Sequence, residues 1–348
     1  MKIAIFRTDA IGDTLLTLPI AQTLKDQKIG HEVYFLASNR ARDLFPYSPW
    51  VDDFKILELG ESWWQKFKLC FSQLKVWNPD AIVYVGGSSA PVVAAFLLGI
   101  RMRLGLKSRW WTHLLLNKGV RQKRSQGSQH EVAWNHDLIR PLGFDSKQLA
   151  SPKIYLADES INKINEISQS WSSRPTILVH PGMSGHSLNW PMKNYALLME
   201  KIEENFPRKF KFIVSHTPSD KKYVQELREN LEKRRPSELH YFEGSQHGLP
   251  VFMALVEKAH LFIGPSTGTT HIANALNVPQ VTFYGPIKAQ SSSRWGPFVQ
   301  HEKCWVFSPQ VQCPANTKCL LEKCSFYECM STITVDQVMD KIRDHLQG

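Results

Sequence analysis

The sequence lacks any apolar run long enough to cross a bilayer. Its longest strongly apolar stretch, Ala90 to Ile100, has eleven residues, whereas a membrane-spanning helix needs about 20. The amino terminus also lacks the apolar segment of a secretion signal, because polar residues begin at Arg7. We therefore expect a cytoplasmic protein without a transmembrane segment, with peripheral association at a membrane surface left open.

Three signatures of nucleotide and metal chemistry are also missing. No G-x-G-x-x-G follows the first apolar strand and no G-x-x-x-x-G-K-[ST] occurs anywhere, which argues against an ordinary dinucleotide-binding dehydrogenase and a P-loop NTPase. There is no D-x-D sequence, the kind of acidic cluster that suits Mg²⁺. The sequence therefore predicts neither a bound metal ion nor any other cofactor.

Acidic residues are fewer than basic ones. The chain has 42 Lys and Arg against 32 Asp and Glu, a formal net charge of +10, which favours anionic partners such as nucleic acid, phosphorylated sugars or a membrane surface. The segment from Arg101 to Arg124 holds eight basic residues besides His113, together with Trp110 and Trp111. It is either a solvated basic face or a dock for a phosphorylated lipid, with a nucleic-acid groove as the weaker alternative.

Cysteine is nearly absent from the first 300 residues. After Cys70, the other cysteines are Cys304, Cys313, Cys319, Cys324 and Cys329. A reducing cytosol disfavours disulfides. The C-x5-C-x4-C-x4-C spacing of the last four fits a zinc site only in part, since such sites favour C-x2–4-C pairs. Reduced structural thiols are the default interpretation, and bound zinc or an iron–sulfur centre is the alternative.

The apolar pattern predicts two α/β domains. A chain of 348 residues exceeds a comfortable single core. Strand, glycine-containing loop and helix alternate in each half, and the pattern fades around residues 143–159, so each half should hold a parallel sheet with helices on both faces. Pro19 interrupts the first helical pattern, which must kink or begin anew there. The expected divisions are residues 1–155, 156–330 and a final helix in 331–348.

Ligands of doubly wound sheets bind at the carboxyl ends of the strands, so the loops after the strands are the candidate sites. The first loop runs from Phe6 to Pro19, where Gly12 lets a substrate approach the backbone. Asp13 is either a helix N-terminal acid stabilised by the helix dipole or a general base for the transfer of a sugar to an alcohol. Asp9 is a second candidate for the same base.

Two further loops are rich in glycine and hydroxyl groups. The loop from His180 to Pro191 precedes a helix and offers N–H groups and hydroxyls to a diphosphate. The loop from Gly264 to Leu276 crowds four hydroxyls around a helix start, more than capping requires. By itself, His271 is more typical of a packing histidine. The predicted donor-binding residues are Gly182, Met183, Ser184, Gly185, His186, Ser187, Asn189, Ser266, Thr267, Gly268, Thr269 and His271.

Together the three loops resemble glycosyltransferase family 9, the heptosyltransferases of lipopolysaccharide core synthesis. The segment His130 to Asn135, HEVAWN, is also similar to these enzymes, and the resemblance spans nearly the whole chain in the expected order. The family pattern R-x-D-x-x-G-D-x-x-x-x-x-P is present as Arg7, Asp9, Gly12, Asp13 and Pro19, its W-P as Trp190 and Pro191, and its T-G-x-x-H as Thr267, Gly268 and His271.

The resemblance implies the GT-B fold: two Rossmann-like doubly wound domains facing a cleft, with the acceptor on the first domain, the nucleotide sugar on the second, and the last helix crossing back to the first. It implies an inverting, metal-independent reaction with Asp13 as the base. Two residues depart from the family, because Leu188 stands where Lys is frequent and Ser266 where Asp is frequent. The acceptor-binding residues are expected to be Arg7, Asp9, Gly12, Arg103 and Arg109.

The predicted function is the transfer of a heptose or related sugar from a nucleotide-diphosphate sugar, ADP-heptose in the first instance. The acceptor is expected to be lipopolysaccharide core or a similar glycolipid at the inner membrane surface, with no nucleic-acid partner. One alternative is a catalytically silent protein that binds nucleotide or lipid on the same scaffold. Another is a sugar-nucleotide epimerase, which has no need of the basic segment.

Overall fold

A computed structural model describes residues 1–27, 30–58, 60–144, 149–183, 185, 187–232, 235–298, 302–315 and 317–348. The chain forms two compact units, one of residues 1–124 and 129–155 and the other of residues 125–128 and 156–348. The predicted boundary at residue 155 assigns the short segment 125–128 to the first domain. In the structure this segment packs with the second unit, where the Ser293 hydroxyl donates a 2.9 Å hydrogen bond to the Gly127 carbonyl.

The first unit contains one six-stranded sheet in which all paired strands are parallel. Its strands are β1 (Lys2–Arg7), β2 (Glu32–Ser38), β3 (Asp53–Leu57), β4 (Ala81–Gly86), β5 (Met102–Leu106) and β6 (Lys118–Val120). Its helices are α1 (Ile11–Leu15), α2 (Leu18–Gln27), α3 (Trp63–Trp77), α4 (Ala90–Leu97), α5 (Trp110–Leu115) and α6 (Glu131–Asp137). The strand order is β3-β2-β1-β4-β5-β6.

Proline sets the break between the first two helices. α1 ends at Leu15, and α2 begins at Leu18 with Pro19 as its second residue, a position where the missing N–H is no loss. The prediction that the helix begins anew near Pro19 is therefore confirmed. The turn between them is held by the Thr17 hydroxyl, which donates to the Asp13 carbonyl at 2.8 Å.

The second unit repeats this architecture, again with parallel strand pairs. Its strands are β7 (Thr176–Val179), β8 (Lys211–His216), β9 (Leu239–Glu243), β10 (Ala259–Pro265), β11 (Gln280–Phe283) and β12 (Cys304–Phe307). Its helices are α7 (Asp158–Ile167), α8 (Met192–Asn205), α9 (Lys221–Leu231), α10 (Gly244–His247), α11 (Leu249–Glu257), α12 (Gly268–Ala275), α13 (Ser292–Trp295) and α14 (Val335–Gln347). The strand order is β12-β11-β10-β7-β8-β9.

The last helix, α14, packs on the core of the second unit. Val338, Met339, Ile342 and Leu346 are buried there together with α8 residues such as Met199. The expectation from the resemblance that this helix crosses back to the first domain stays a prediction. Among the described residues, no helix combines the length and apolar character that bilayer crossing requires.

The strand orders identify one crevice in each sheet. In the first sheet β1 lies between β2 and β4, and in the second β7 lies between β8 and β10, so the direction of strand progression reverses at β1 and at β7. Ligands of open α/β sheets bind outside the carboxyl ends of the strands at such a reversal. The loop after β1 and the loops after β7 and β10 are therefore the places to look for chemistry.

Candidate active site

Arg7, the last residue of β1, organises the loop that follows it. Its side chain is only 6% exposed, and its Nε lies 2.8 Å from the Asp9 carboxylate. Another guanidinium nitrogen of Arg7 donates to Asp13 Oδ1, and Nη1 is 3.8 Å from Glu131 Oε1. One buried arginine thus stands among three carboxylates at the reversal point of the first sheet. The observed contacts of Arg7 are with carboxylates of its own unit, and its predicted role in binding the acceptor stays a prediction.

The carboxylates keep Arg7 charged despite its burial. Burial lowers the pKa of Arg7, but Asp13, Asp9 and Glu131 together outweigh burial and raise it above its ordinary value. Burial also raises the pKa of Asp9, with Arg7 opposing this and Asp13 adding to it. Counting Arg124, which pairs with Glu131, two guanidinium groups face three carboxylates, so the cluster carries an excess of negative charge.

The Asp13 carboxylate is fixed by an ion pair and is also accessible to solvent. It lies in the first turn of α1, whose N-cap residue Ala10 has no side chain that caps the helix. One carboxylate oxygen is fixed by Arg7, while the side chain keeps 23% of its surface exposed. Gly12 is buried beside it in the same turn. A carboxylate that is fixed in orientation and open on one side is the arrangement that general-base catalysis requires.

Buried polar groups far along the chain support this cluster. Glu131 begins α6 and is 1% exposed, and it pairs with Arg124. Arg124 also donates to Asn135 Oδ1 at 3.1 Å, and Asn135 Nδ2 donates to the Leu16 carbonyl at 2.9 Å. α6 is thereby tied to the chain that leaves α1. The sequence-based predictions give Glu131 and Arg124 no role in the site. The one signal in the sequence is the family-like segment HEVAWN, which includes Glu131.

The two other predicted acceptor residues differ in their surroundings. Burial raises the pKa of Tyr84, a residue of β4, while Arg109 opposes this and Asp9 adds to it, so Arg109 shares the neighbourhood of Tyr84 with Asp9. Arg103 instead serves the local backbone. Its Nε donates to the Leu115 carbonyl at 2.8 Å, and its guanidinium lies 5.3 Å from the centre of the Phe96 ring.

The loop after β7 is anchored by a buried polar group at its base. A Cβ on Gly182 would lie 2.2 Å from the Asp220 carboxylate, so this position requires glycine. Asp220 in turn accepts hydrogen bonds from the backbone N–H and the hydroxyl of Thr217, at 2.8 and 2.7 Å. His180 is buried with Nδ1 3.0 Å from the Ser215 hydroxyl, and burial lowers its pKa with Asp220 opposing.

Farther along, this loop is folded by its own amide groups. Asn189 Nδ2 donates to the Pro181 carbonyl at 2.8 Å, and the Tyr195 hydroxyl donates to Asn189 Oδ1 at 3.2 Å. Asn189 therefore shapes the loop from both ends of its amide. Met183 is buried, and Gly185 is exposed with φ +77°. The predicted donor residues Ser184 and His186 lie outside the described residues.

The loops after β7 and β10 meet at Ser187. Its hydroxyl donates to the Ser266 carbonyl at 3.4 Å. Thr267, the N-cap residue of α12, makes no side-chain capping bond; its hydroxyl lies 2.7 Å from that of Thr269 instead. Gly268 is the first residue of α12, so free N–H groups and hydroxyls gather where the dipole of α12 favours an anion.

His271 and Leu188 both have apolar or aromatic neighbours. His271 is buried in α12, with its ring centre 6.3 Å from that of Trp295, and its predicted role in donor binding stays a prediction. Leu188 packs on the core of the second unit. It also lies against Gly285, because a Cβ added to Gly285 would be 3.3 Å from the Cβ of Leu188. The loop thus has an apolar side chain where the family often has Lys.

A cavity of about 460 Å³ lies beside the carboxyl ends of β8 and β9. No sequence motif signals this cavity, because its lining comes from the ends of two strands and from the helix α9. Thr217 joins this cavity to the Asp220–Gly182 contact at the base of the β7 loop. Its polar and charged lining residues are His216, Thr217, Lys221, Gln225, Arg228 and Glu243.

The cysteine-rich segment lines a second cavity, of about 430 Å³, together with Leu188 and Asn189. Burial raises the pKa of the Cys329 thiol, and the nearby thiols add to this rise. Within the described ranges, no three His, Cys, Asp or Glu side chains form a group that would hold a metal ion. The thiols that add to the rise in the pKa of Cys329 are those of Cys313, Cys319 and Cys324.

The sequence is similar to a family model and to individual glycosyltransferases. A family model for glycosyltransferase family 9 (heptosyltransferase) matches residues 73–325. A Haemophilus influenzae protein named as a glycosyltransferase is 24% identical, covering 88% of this chain and 89% of its own length. Lipopolysaccharide heptosyltransferase 1 of Campylobacter coli is 23% identical, covering 82% of this chain and 84% of its own.

Solved structures share the fold. The family 9 glycosyl transferase of Veillonella parvula has a TM-score of 0.80 at 15% identity, covering 99% of this chain and 97% of that chain. ADP-heptose lps heptosyltransferase II of E. coli has a TM-score of 0.78 at 21% identity, covering 100% and 99% of the two chains. The prediction of an α/β fold of the GT-B kind, with two Rossmann-like doubly wound domains, is confirmed.

Proposed function

The chain belongs to glycosyltransferase family 9, and from this premise we propose that it is an inverting transferase for heptose or a related sugar. The donor is ADP-heptose or a similar nucleotide-diphosphate sugar. The acceptor is lipopolysaccharide core or a similar glycolipid at the inner membrane surface, which the enzyme reaches from the cytoplasm. The Arg7-centred carboxylate cluster at the end of β1 is the observation that carries this proposal.

Asp13 is the general base in this proposal. As the acceptor oxygen attacks the anomeric carbon, its proton moves to the Asp13 carboxylate, and the bond from that carbon to the diphosphate breaks. Arg7 positions Asp13 through their ion pair. Asp9, Gly12 and Arg109 border the acceptor, whereas Arg103 acts through the backbone that it holds.

The leaving diphosphate binds where the β7 and β10 loops meet, at Ser187, Thr267, Gly268 and Thr269. The reversal of strand order at β7 and the uncapped start of α12 support this. The nucleoside enters the 460 Å³ cavity, where Glu243 can accept hydrogen bonds from ribose hydroxyls. Because Leu188 brings no cation, backbone N–H groups and the dipole of α12 carry most of the charge stabilisation.

We expect the reaction to proceed without a divalent metal. The dipole and N–H groups of the α12 start are fixed in place before reaction, which is the form of stabilisation that suits a developing diphosphate charge. Rates measured in excess EDTA and with added Mg²⁺ should be equal. A rate that EDTA abolishes and Mg²⁺ restores would contradict this. Loss that zinc alone reverses would instead implicate the cysteine-rich segment.

Substitutions at the start of α12 should weaken donor binding. Gly268→Val introduces a branched side chain at the first residue of the helix and should raise the donor KM. Thr267→Ala removes one hydroxyl and should weaken donor binding by about 1–3 kcal/mol if its partner is charged. Steady-state kinetics measures the KM of Gly268→Val, calorimetry with the donor nucleotide measures the binding loss of Thr267→Ala, and Ser293→Ala provides a hydroxyl-removing control elsewhere in the second unit.

The function itself is tested by binding followed by transfer. Thermal-shift or calorimetric titration with ADP, GDP, UDP and their sugars identifies the donor class, and radiolabelled sugar then reports transfer to a lipopolysaccharide-core acceptor. Binding of ADP-heptose followed by transfer is the expected result. Nucleotide binding without transfer to any acceptor would favour the catalytically silent alternative. A nucleotide complex with its diphosphate away from Gly185 and Gly268 would overturn the proposed donor site.

A further inference from the structure

Nearly all of the net charge is concentrated in one part of the first unit. Residues 62–123 contain ten Lys and Arg but a single acidic residue, Asp80, which gives this segment +9 of the chain's formal charge of +10. Asp80 sits at the start of β4 and accepts a 2.8 Å hydrogen bond from the backbone N–H of Lys2. The segment is therefore strongly basic, and its one carboxylate is engaged with β1.

Three helices of this segment cover the same face of the first sheet. Cys70 and Leu74 of α3, Val92 and Ala95 of α4, and Leu116 at the end of α5 belong to one core cluster. The Trp63 indole N–H donates to the Ser89 hydroxyl at 2.9 Å and so joins the start of α3 to the start of α4. The three helices thus form one layer, with an inner side on the sheet and an outer side toward solvent.

The outer side of this layer is unusually apolar. Among the described residues, the five large apolar side chains with the greatest exposure all lie on or next to these helices. Isolated exposed apolar residues are ordinary, but a group confined to one layer marks an interaction surface. The five, with their exposed fractions, are Trp110 (77%), Val76 (76%), Leu114 (71%), Trp64 (67%) and Leu97 (61%).

Lysine shares this outer side with tryptophan. In α3, Trp64, Lys68 and Lys75 are spaced four and seven residues apart, so they lie along one side of the helix, and all three are exposed. In α5, Trp110 and Leu114 are four residues apart and exposed on one side. Tryptophan with aliphatic residues and Lys suits the interface of an anionic bilayer, where rings sit among headgroups and ammonium groups meet lipid phosphates.

We propose that the outer side of the α3–α5 layer docks the enzyme on an anionic lipid bilayer. This deepens the proposed function and rests on it only for the placement of a glycolipid acceptor at that bilayer. A nucleic acid is the less fitting partner, because Val76, Leu97 and Leu114 offer it neither stacking nor hydrogen bonds. Insertion of those aliphatic side chains into the headgroup boundary gives them an apolar environment instead.

Vesicle flotation tests the docking surface with matched variants. The full chain is mixed with phosphatidylcholine vesicles with and without phosphatidylglycerol, in low and in high salt. Wild type should bind only the phosphatidylglycerol vesicles and be released by salt. Lys68→Glu/Lys75→Glu should weaken binding by roughly 10-fold or more, since each basic group near an anionic membrane surface contributes about 1 kcal/mol to the binding free energy. Trp110→Ser/Leu114→Ser should also weaken it, by a factor that depends less on salt.

The controls change the same residue types elsewhere. Lys153→Glu/Lys341→Glu makes the same change of net charge at exposed positions, and Leu320→Ser/Tyr327→Ser removes exposed apolar groups of the second unit; both should bind like wild type. Unchanged binding of the α3–α5 variants, or equal losses in the controls, would overturn the proposal. The proposal would also be overturned if the wild type bound a DNA duplex more tightly than it binds vesicles and the α3–α5 variants abolished that DNA binding.

A water-soluble acceptor separates this proposal from the proposed function. With a delipidated core oligosaccharide, the α3–α5 variants should keep the wild-type kcat, because none of the substituted residues belongs to the proposed catalytic or donor site. With the same acceptor embedded in phosphatidylglycerol vesicles, their rate should fall in parallel with vesicle binding. A wild type that binds vesicles but transfers no sugar to either acceptor would refute the proposed function and leave the docking surface standing.

Discussion

Asp13→Asn is expected to lower kcat by about 10²–10⁴, the usual consequence of losing a general base, while donor binding stays near the wild-type level. The amide keeps the size of the carboxylate but cannot take the acceptor's proton. Arg7 still has the Asp9 carboxylate at 2.8 Å and Glu131 at 3.8 Å, so the fold should persist. Initial rates with saturating donor, together with calorimetry of donor binding, measure the two effects separately.

Two other Asp→Asn variants make this result specific. Asp26→Asn, at an exposed position of α2 in the same unit, should keep full activity. Asp9→Asn removes the second carboxylate beside Arg7 and should reduce the rate less than Asp13→Asn does. If Asp13→Asn turned over near normally and Asp9→Asn did not, the base would be Asp9, whose burial raises its pKa.

Glu131→Gln should destabilise the first unit by roughly 3 kcal/mol, because removing one member of a buried ion pair leaves its partner uncompensated. Glu131 is 1% exposed, and the two arginines that it faces, Arg124 and Arg7, are buried as well. We expect kcat to fall too, since Glu131 helps to fix the guanidinium that orients Asp13. Urea unfolding followed by tryptophan fluorescence and steady-state kinetics measure the two losses.

Matched variants distinguish this ion pair from a general effect of charge. Glu159→Gln, exposed in the first turn of α7, should change stability by less than about 0.5 kcal/mol. Arg124→Gln/Glu131→Gln removes both charges and should be less destabilised than Glu131→Gln alone. Equal stability of Glu131→Gln and wild type would mean that the ion pair does not support the site.

The structure has strands that the apolar pattern does not reveal. β5, β9 and β12 have only partly buried side chains at most of their positions, because they lie at or near the edges of their sheets. The central strands β1, β7 and β10 are buried almost throughout, and they read as continuous apolar runs. A strand could therefore be recognised from its apolar residues when it lies at the centre of the sheet, but not when it lies at or near an edge.

The sequence by itself determined the α/β class, the restart of the helix at Pro19 and the loops that follow the central strands. These features depend on neighbours in the chain, since apolar periodicity, proline and glycine act over a few residues. The tertiary structure alone decided that Arg7 meets Glu131, that Gly182 lies against Asp220, and that the exposed residues of α3–α5 share one layer. Such contacts join residues distant in sequence, and only the packing of strands and helices brings them within range of an ion pair or a buried contact.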